Sequence, residues 1–444
     1  MIELVLAAGD LDAVRNDLTG GQVEGCAVLY ASQVLRADGT ARLLVREIQF
    51  PSPIDYTRRG PLEAELSPEF VARATKRARR EGLALVFVHS HPGDEAPIFS
   101  FVDDCGEERL AAFFAHRYPE RAHAAVVVSA GGMRARRLGT KEEIRVVVIG
   151  KHREVLFDAL HGPATASEVF DRQVRAFGAV GQQSLQKLRI AIVGLGGTGS
   201  VVAQQLVHLG VRDFILVDPD VLEPTNLNRV ANATTDDIGI PKVEIAARYI
   251  NKIANDAKVV CVKDDVIRAR TAAELFNADL IFGCTDSHGS RAILQQVSYQ
   301  YMIPCIDMGM TIIAKNGRVT YVYGRVQLLA PGHACFACDG LLDAGEVRRD
   351  MMTAFERQTD PYIQGEREPA PSVISLNSTV ASLAVTMFLS VVTGIPMHGR
   401  HLLYNAARSI LRTVQAEPKS NCYICSRTGS FGRGDSWPLL GRQD

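Results

Sequence analysis

Residues 189–199 read Arg-Ile-Ala-Ile-Val-Gly-Leu-Gly-Gly-Thr-Gly, and their reading decides the fold of the larger half of the chain. A short apolar run rich in β-branched residues, 190–193, enters Gly194-x-Gly196-x-x-Gly199, and a helical pattern follows over 200–209. Glycine permits the tight turn and a close backbone approach, so that helix amides face a phosphate. Residues 214–217 form the next strand. Asp218 stands at its end, where a carboxylate meets ribose hydroxyls. Strand, glycine turn, helix and strand make one βαβ module with a nucleotide site.

The residues downstream favour ATP. The run from Asp218 through Asp220 and Asn226 ends at Arg229, Lys242 follows Gly239-Ile-Pro241, and Asp286 comes just after a strand over 280–283. Arg229 and Lys242 can neutralise a triphosphate, and Asp286 can hold Mg²⁺. Glycines and an acid alone would suit a nicotinamide dehydrogenase equally well, but such a site needs no charge cluster. Each charge taken singly is an ordinary surface residue; their order and strand-end placement single them out.

From about Phe170 to Cys425 the chain resembles the ThiF/MoeB family, the bacterial relatives of ubiquitin-activating enzymes. The resemblance is carried by Asp171-Arg172-Gln173, the glycine turn, Asp218-x-Asp220 with Asn226-Leu-Asn-Arg229, Ile238-Gly-Ile-Pro-Lys242, and Asp286. It implies that Asp218 binds ribose, that Asn226, Arg229 and Lys242 contact the phosphates, and that Asp286 binds Mg²⁺. It also implies that Arg172 reaches into the ATP site of a second copy, hence a homodimer.

Cys335-Phe-Ala-Cys338 and Cys422-Tyr-Ile-Cys425 offer four thiolates in two knuckles, the donor set of a closed structural Zn²⁺ site. The pairs lie too far apart for a small zinc finger, so the metal would clip the C-terminal end back onto the domain. ThiF/MoeB proteins look the same here. Redox catalysis and disulfides are the alternatives. Relatives that form a thioester carry a cysteine in the crossover loop, whereas residues 341–370 contain none. That loop reads as mobile. Cys26, Cys105, Cys261, Cys284 and Cys305 read as core residues.

A second metal motif lies near the N-terminus. His89-Ser-His91-Pro92 follows a buried-strand pattern over 83–88, and Ser100-Phe-Val-Asp103 comes next. Two His and one Asp leave a fourth Zn²⁺ position for water, as hydrolysis requires. The pattern resembles the JAMM (MPN-plus) metallopeptidases, which cut isopeptide bonds behind ubiquitin-like proteins. The spacing from His91 to Ser100 is one residue longer than the family's usual one, which leaves Asp104 as a rival to Asp103. The resemblance implies Glu24, in Val23-Glu24-Gly-Cys26, as general base and Ser100 as oxyanion donor. Read alone, Glu24 is a surface acid at a strand start.

Composition sets the outer limits. With 444 residues, 47% hydrophobic and 22% charged, the chain suits two or three soluble α/β domains. A net charge of −1 gives no broad basic surface for nucleic acid. No basic region opens the N-terminus, so secretion is not expected, and nine cysteines point to a reducing cytoplasm. Residues 371–399 lack Asp, Glu, Lys and Arg, but Asn377 and many Ser and Thr argue for a buried helix over a membrane span.

The expectation is a JAMM-type α/β domain over 1–160, a Rossmann-like ThiF/MoeB adenylation domain over 161–426, and a disordered tail over 427–444. The expected function is bifunctional: ATP-dependent adenylation of the C-terminal glycine of a ubiquitin-like protein, plus Zn²⁺-dependent isopeptidase or precursor cleavage. A conjugating enzyme or sulfur-transfer partner would take the acyl group. Peptide adenylation and cleavage in natural-product synthesis, and a non-catalytic dimeric platform, are the competing readings.

Overall fold

The computed structural model describes all residues except 94, 158–167, 316, 360–369 and 444. They divide into two compact units, one of residues 1–162, 300–302 and 426–438, the other of 163–299, 303–425 and 439–444.

The N-terminal unit runs β1 (Ile2–Ala7), α1 (Ala8–Leu18), β2 (Cys26–Leu35), β3 (Ala41–Gln49), β4 (Tyr56–Arg59), β5 (Ala64–Leu66), α2 (Pro68–Glu81), β6 (Ala84–Ser90), α3 (Phe101–Arg117), β7 (Ala124–Ser129), β8 (Gly132–Arg137), β9 (Arg145–Ile149) and β10 (Arg153–Phe157). Eight strands form one mixed sheet in the order β10-β9-β1-β3-β2-β6-β7-β8, and β4 pairs with β5 separately. Alternate residues feed the two faces. Leu4, Leu6, Leu29, Val86 and Val126 pack with Leu11 and Val14 of α1. Val28, Tyr30 and Phe87 pack with Phe70 of α2 and Phe114 of α3. Ser67 starts α2 by accepting the Phe70 N–H, and Gly82 ends it in the left-handed conformation.

β10 pairs antiparallel with β9 before α4 (Asp171–Lys187) begins. One expectation needs correction: the tail is not disordered, because residues 426–438 complete the N-terminal unit. Ser430, Phe431 and Gly434 are buried there. A Cβ on Gly434 would come within 2.4 Å of Val34, so glycine serves close packing rather than flexibility. The arginines, which read as solvating, cover aromatic rings, Arg427 over Phe431 and Arg433 over Trp437.

The second unit continues from α4 with β11 (Arg189–Val193), α5 (Gly199–Leu209), β12 (Asp213–Val217), α6 (Lys242–Ile253), β13 (Lys258–Val262), α7 (Ala269–Glu274), β14 (Leu280–Gly283) and α8 (His288–Gln300). Then come β15 (Cys305–Lys315), β16 (Arg318–Leu329), α9 (Phe336–Asp339), α10 (Ala344–Met351), α11 (Ala354–Thr359), α12 (Ile374–Thr393), β17 (His401–Asn405) and β18 (Ile410–Thr413). The sheet order is β13-β12-β11-β14-β15-β16-β17-β18, parallel from β13 to β15 and antiparallel beyond. The order turns back between β11 and β14, which opens a crevice at the strands' carboxyl ends. Among the described residues, α12 has the length and apolarity to cross a membrane, yet half of it is buried against β15, β16, α4 and α5. Residues 341–359, read as part of a mobile loop, carry α10 and α11; residues 360–369 of that loop lie outside the described residues.

Candidate functional site

The glycine turn sits at that crevice. Gly194 has φ +91°, which only glycine adopts readily, and a Cβ on Gly199 would lie 1.8 Å from the Gly194 carbonyl oxygen. Asp218, at the end of β12, is 4% exposed and accepts the Leu195 N–H at 2.5 Å and the Asp220 N–H at 2.9 Å. Burial raises its carboxyl above the usual range, partly offset by the nearby Lys242 charge. Lys242, the first residue of α6, pairs with Asp220 at 2.6 Å. Asn226 is buried and fastens its own loop: its Oδ1 accepts the Glu223 N–H at 3.4 Å, and its Nδ2 donates to Thr225 at 3.3 Å. Arg229 lies beside the turn, its guanidinium donating to the Thr225 carbonyl at 2.6 Å.

Asp286 follows β14, the parallel neighbour of β11. A Cβ on Gly194 would touch Cys284 at 2.8 Å and Thr285 at 3.3 Å, so this loop borders the glycine turn. Asp286 is exposed and free of ion pairs among the described residues, which suits Mg²⁺ held by one carboxylate plus substrate phosphates. Gly194, Gly196, Gly199, Asp218, Lys242, Arg229 and Asp286 therefore collect around the carboxyl ends of the adjacent strands β12, β11 and β14. Arg172 does not join them within one chain; it is exposed on the first turn of α4.

The four cysteines converge despite their distance in sequence. Sγ–Sγ separations are 3.7 Å for Cys335–Cys338 and 3.5 Å for both Cys335–Cys422 and Cys338–Cys425. Tetrahedral thiolates about 2.3 Å from Zn²⁺ stand about 3.8 Å apart, so the donor set and spacing fit the metal and exclude disulfides. The Lys419 N–H donates to Cys338 Sγ at 3.3 Å and the Ile424 N–H to Cys422 Sγ at 3.4 Å, as expected for thiolates. Of the other cysteines, Cys26 and Cys305 are core residues and Cys284 is half-buried. Cys105 and Cys261 are exposed, contrary to the sequence reading: Cys105 lies on the solvent side of α3, and Cys261 on the edge strand β13.

A family model described as the ThiF family matches residues 170–424, more than half of the chain. The chain belongs to the ThiF family. SAMP-activating enzyme E1 of Haloferax volcanii is 26% identical over 254 residues, covering 57% of this chain and 85% of that protein. Molybdopterin-synthase adenylyltransferase of Escherichia coli is 27% identical over 260 residues, 58% of this chain and 96% of that one. Ubiquitin-like modifier-activating enzyme 5 of Aedes aegypti is 25% identical over 54% of this chain and 59% of its own, so the chain spans little more than half of that relative. Among solved structures, E. coli MccB with ATP matches with a TM-score of 0.48 and 17% identity over 60% of this chain and 76% of that one.

The third cluster lies outside the ThiF-family segment. His89 is the penultimate residue of β6, and His91 follows the strand; Asp103 comes from the first turn of α3. His89 Nε2 is 3.1 Å from Asp103 Oδ1, and His91 Nε2 is 3.4 Å from Asp103 Oδ2. Tetrahedral N and O ligands of Zn²⁺ stand about 3.3 Å apart, so these atoms fit one ion. His89 Nε2 is also a buried nitrogen without a hydrogen bond of good geometry. Burial alone would raise the Asp103 carboxyl, but the two imidazoles outweigh it and hold the group far below the usual range. Glu24 Oε1 stands 3.8 Å from His91 Nε2. Burial raises the Glu24 carboxyl, against the pull of His89 and His91. Ser100 Oγ accepts the Asp103 N–H at 3.2 Å in a capping box, which leaves its own proton free to donate.

Of the two acids that spacing left open, Asp103 stands beside the imidazoles, whereas Asp104 pairs with Arg136 at 2.8 Å and Lys141 at 3.7 Å. Sequence reading missed the supports. Arg136 grips buried Glu107 on α3 at 2.9 Å and covers Phe99, which packs against His89. Arg59 Nε donates to the Glu24 carbonyl at 2.9 Å. No local motif marks these residues.

Proposed function

We propose that the ThiF-family unit adenylates the C-terminal carboxylate of a small protein or peptide, with the C-terminal glycine of a ubiquitin-like protein as the substrate; similarity to a ubiquitin-like modifier-activating enzyme supports a partner of that class. The gathering of Asp218, Lys242, Arg229 and Asp286 around one glycine turn carries this reading. A carboxylate oxygen attacks the α-phosphorus of ATP; the bond to the bridging oxygen breaks, and its electron pair leaves with pyrophosphate. Amides of the turn and of α5 hold the phosphate chain, and Asp218 accepts from the ribose hydroxyls. Lys242 exchanges Asp220 for a phosphate, and Arg229 swings from the Thr225 carbonyl to do the same. Asp286 holds Mg²⁺, which supplies charge neutralisation at the departing pyrophosphate. Arg172 serves the site of a second copy in a homodimer. Pyrophosphate exchange into ATP, driven by proteins ending in Gly-Gly, tests the proposal: exchange should vanish in Asp286→Ala. Exchange that Asp286→Ala leaves intact, or that no such protein drives, counts against it.

We infer for the N-terminal unit a JAMM-type, Zn²⁺-dependent cleavage of an amide or precursor at the same carboxylate. His89, His91 and Asp103 hold Zn²⁺, which supplies Lewis acidity toward the scissile carbonyl. Glu24 takes a proton from the attacking water and passes it to the leaving amine. Ser100 donates to the developing oxyanion. A ubiquitin-like fusion should be cut by the full chain and left whole by Glu24→Ala; cutting that survives this substitution and chelation eliminates the assignment.

A further inference from the structure

We propose that Asn377 is a further ligand-binding residue of the nucleotide crevice, donating a hydrogen bond to the phosphate chain on the glycine turn. The inference rests on the adenylation reading and adds a residue from a distant part of the chain. Asn377 lies on the first turn of α12 and is 5% exposed. Its carboxamide has two N–H donors and one acceptor oxygen. One N–H goes to Ser372 Oγ at 2.9 Å. Neither the second N–H nor the oxygen has a hydrogen-bond partner among the described residues. The N–H of Nδ2 that Ser372 does not take is therefore available to a ligand.

Its position says which partner. A Cβ built on Gly197 would lie 2.3 Å from Asn377 Nδ2 and 3.4 Å from Arg229 Cγ. Asn377 and Arg229 thus both stand against Gly197, the middle of the turn. Gly197 lacks the left-handed φ of Gly194, so what it needs from glycine is this close approach. A donor fixed by Ser372 and set against a phosphate-binding turn suits a phosphate oxygen, and being neutral it complements Lys242 and Arg229 without adding to the charge.

Equilibrium binding of Mg·ATP and of adenosine to the full-length protein tests this. Asn377→Ala should weaken Mg·ATP by about tenfold to a hundredfold, the range for a hydrogen bond to a charged group, and leave adenosine unchanged. Asn377→Asp, which puts a negative charge against the phosphates, should weaken Mg·ATP further and again spare adenosine. Gly197→Ala should lose Mg·ATP affinity through the clash, and adding Asn377→Ala should restore it to the level of Asn377→Ala alone. Unchanged Mg·ATP affinity in Asn377→Ala, or parallel losses for ATP and adenosine, overturns the proposal and reduces Asn377 to packing. A wild-type protein that binds no Mg·ATP instead sinks the adenylation reading itself.

Discussion

The four-cysteine cluster and the His89–His91–Asp103 cluster gather side chains of metal-ligating type in opposite ways. The cysteines supply four donors, two of them buried, and backbone amides back the sulfurs. The His and Asp cluster supplies three donors, all half-buried, with the Glu24 carboxylate alongside. A closed set holds a fold together, whereas an open one leaves room for water and a base. The contrast teaches that donor count and what stands at the missing corner separate structure from chemistry better than metal affinity does.

The sharpest way to break the contrast is Cys335→Ser. Loss of one Zn²⁺ per chain should cost more than about 4 kcal/mol of stability, the range in which loss of a structural metal falls. Denaturant unfolding with metal analysis checks it, and an unchanged midpoint would remove the closed site from the comparison. Glu24→Gln should do the reverse: cleavage drops by about 10²–10⁴-fold while Zn²⁺ content and melting temperature hold. Loss of metal in that variant would make Glu24 a fourth ligand and close the open site.

A third variant separates the metal clip from the segment after it. Asp10 is 2% exposed and pairs with Arg427. Arg427→Ala should cost about 1–3 kcal/mol, by leaving a buried carboxylate unpartnered, with all four cysteines still metallated. A loss of Zn²⁺ along with stability would show that clip and segment are one element. The smallest effect concerns acid. His123 is neutral, accepting the Leu85 N–H at 3.1 Å and facing the Tyr118 carbonyl at 3.2 Å. Burial holds its pKa below the usual 6.5. Between that lowered value and 6.5 the unfolded chain binds more protons, so stability is full above 6.5 and falls as pH drops. The slope cannot exceed about 1.4 kcal/mol per pH unit for one proton. The unsubstituted protein should show it and His123→Gln should not; equal slopes in both would trace the acid sensitivity to other groups, the His89–His91 cluster among them.

Legibility followed the range of the contacts. The glycine turn was readable because the βαβ unit is local, and helix α2 because its cap and its glycine stop are adjacent to it. Strands β1 and β10 escaped notice: β1 is buried throughout, with Glu3 paired to Arg42 and Arg145, so it carries no alternation and its acid looks out of place. The tail misled because Gly, Arg and Ser are the composition of a solvated segment, and only its packing partners reveal otherwise.

From residue order alone came the nucleotide turn, the two cysteine knuckles and the histidine pair, since each is a short spacing whose geometry the backbone enforces by itself. The folded chain was needed to choose Asp103 over Asp104, to bring Asn377 onto Gly197, and to order residues 426–438. In each of these the deciding neighbour lies on a different element, and the hydrophobic packing that unites those elements leaves no mark at any single position.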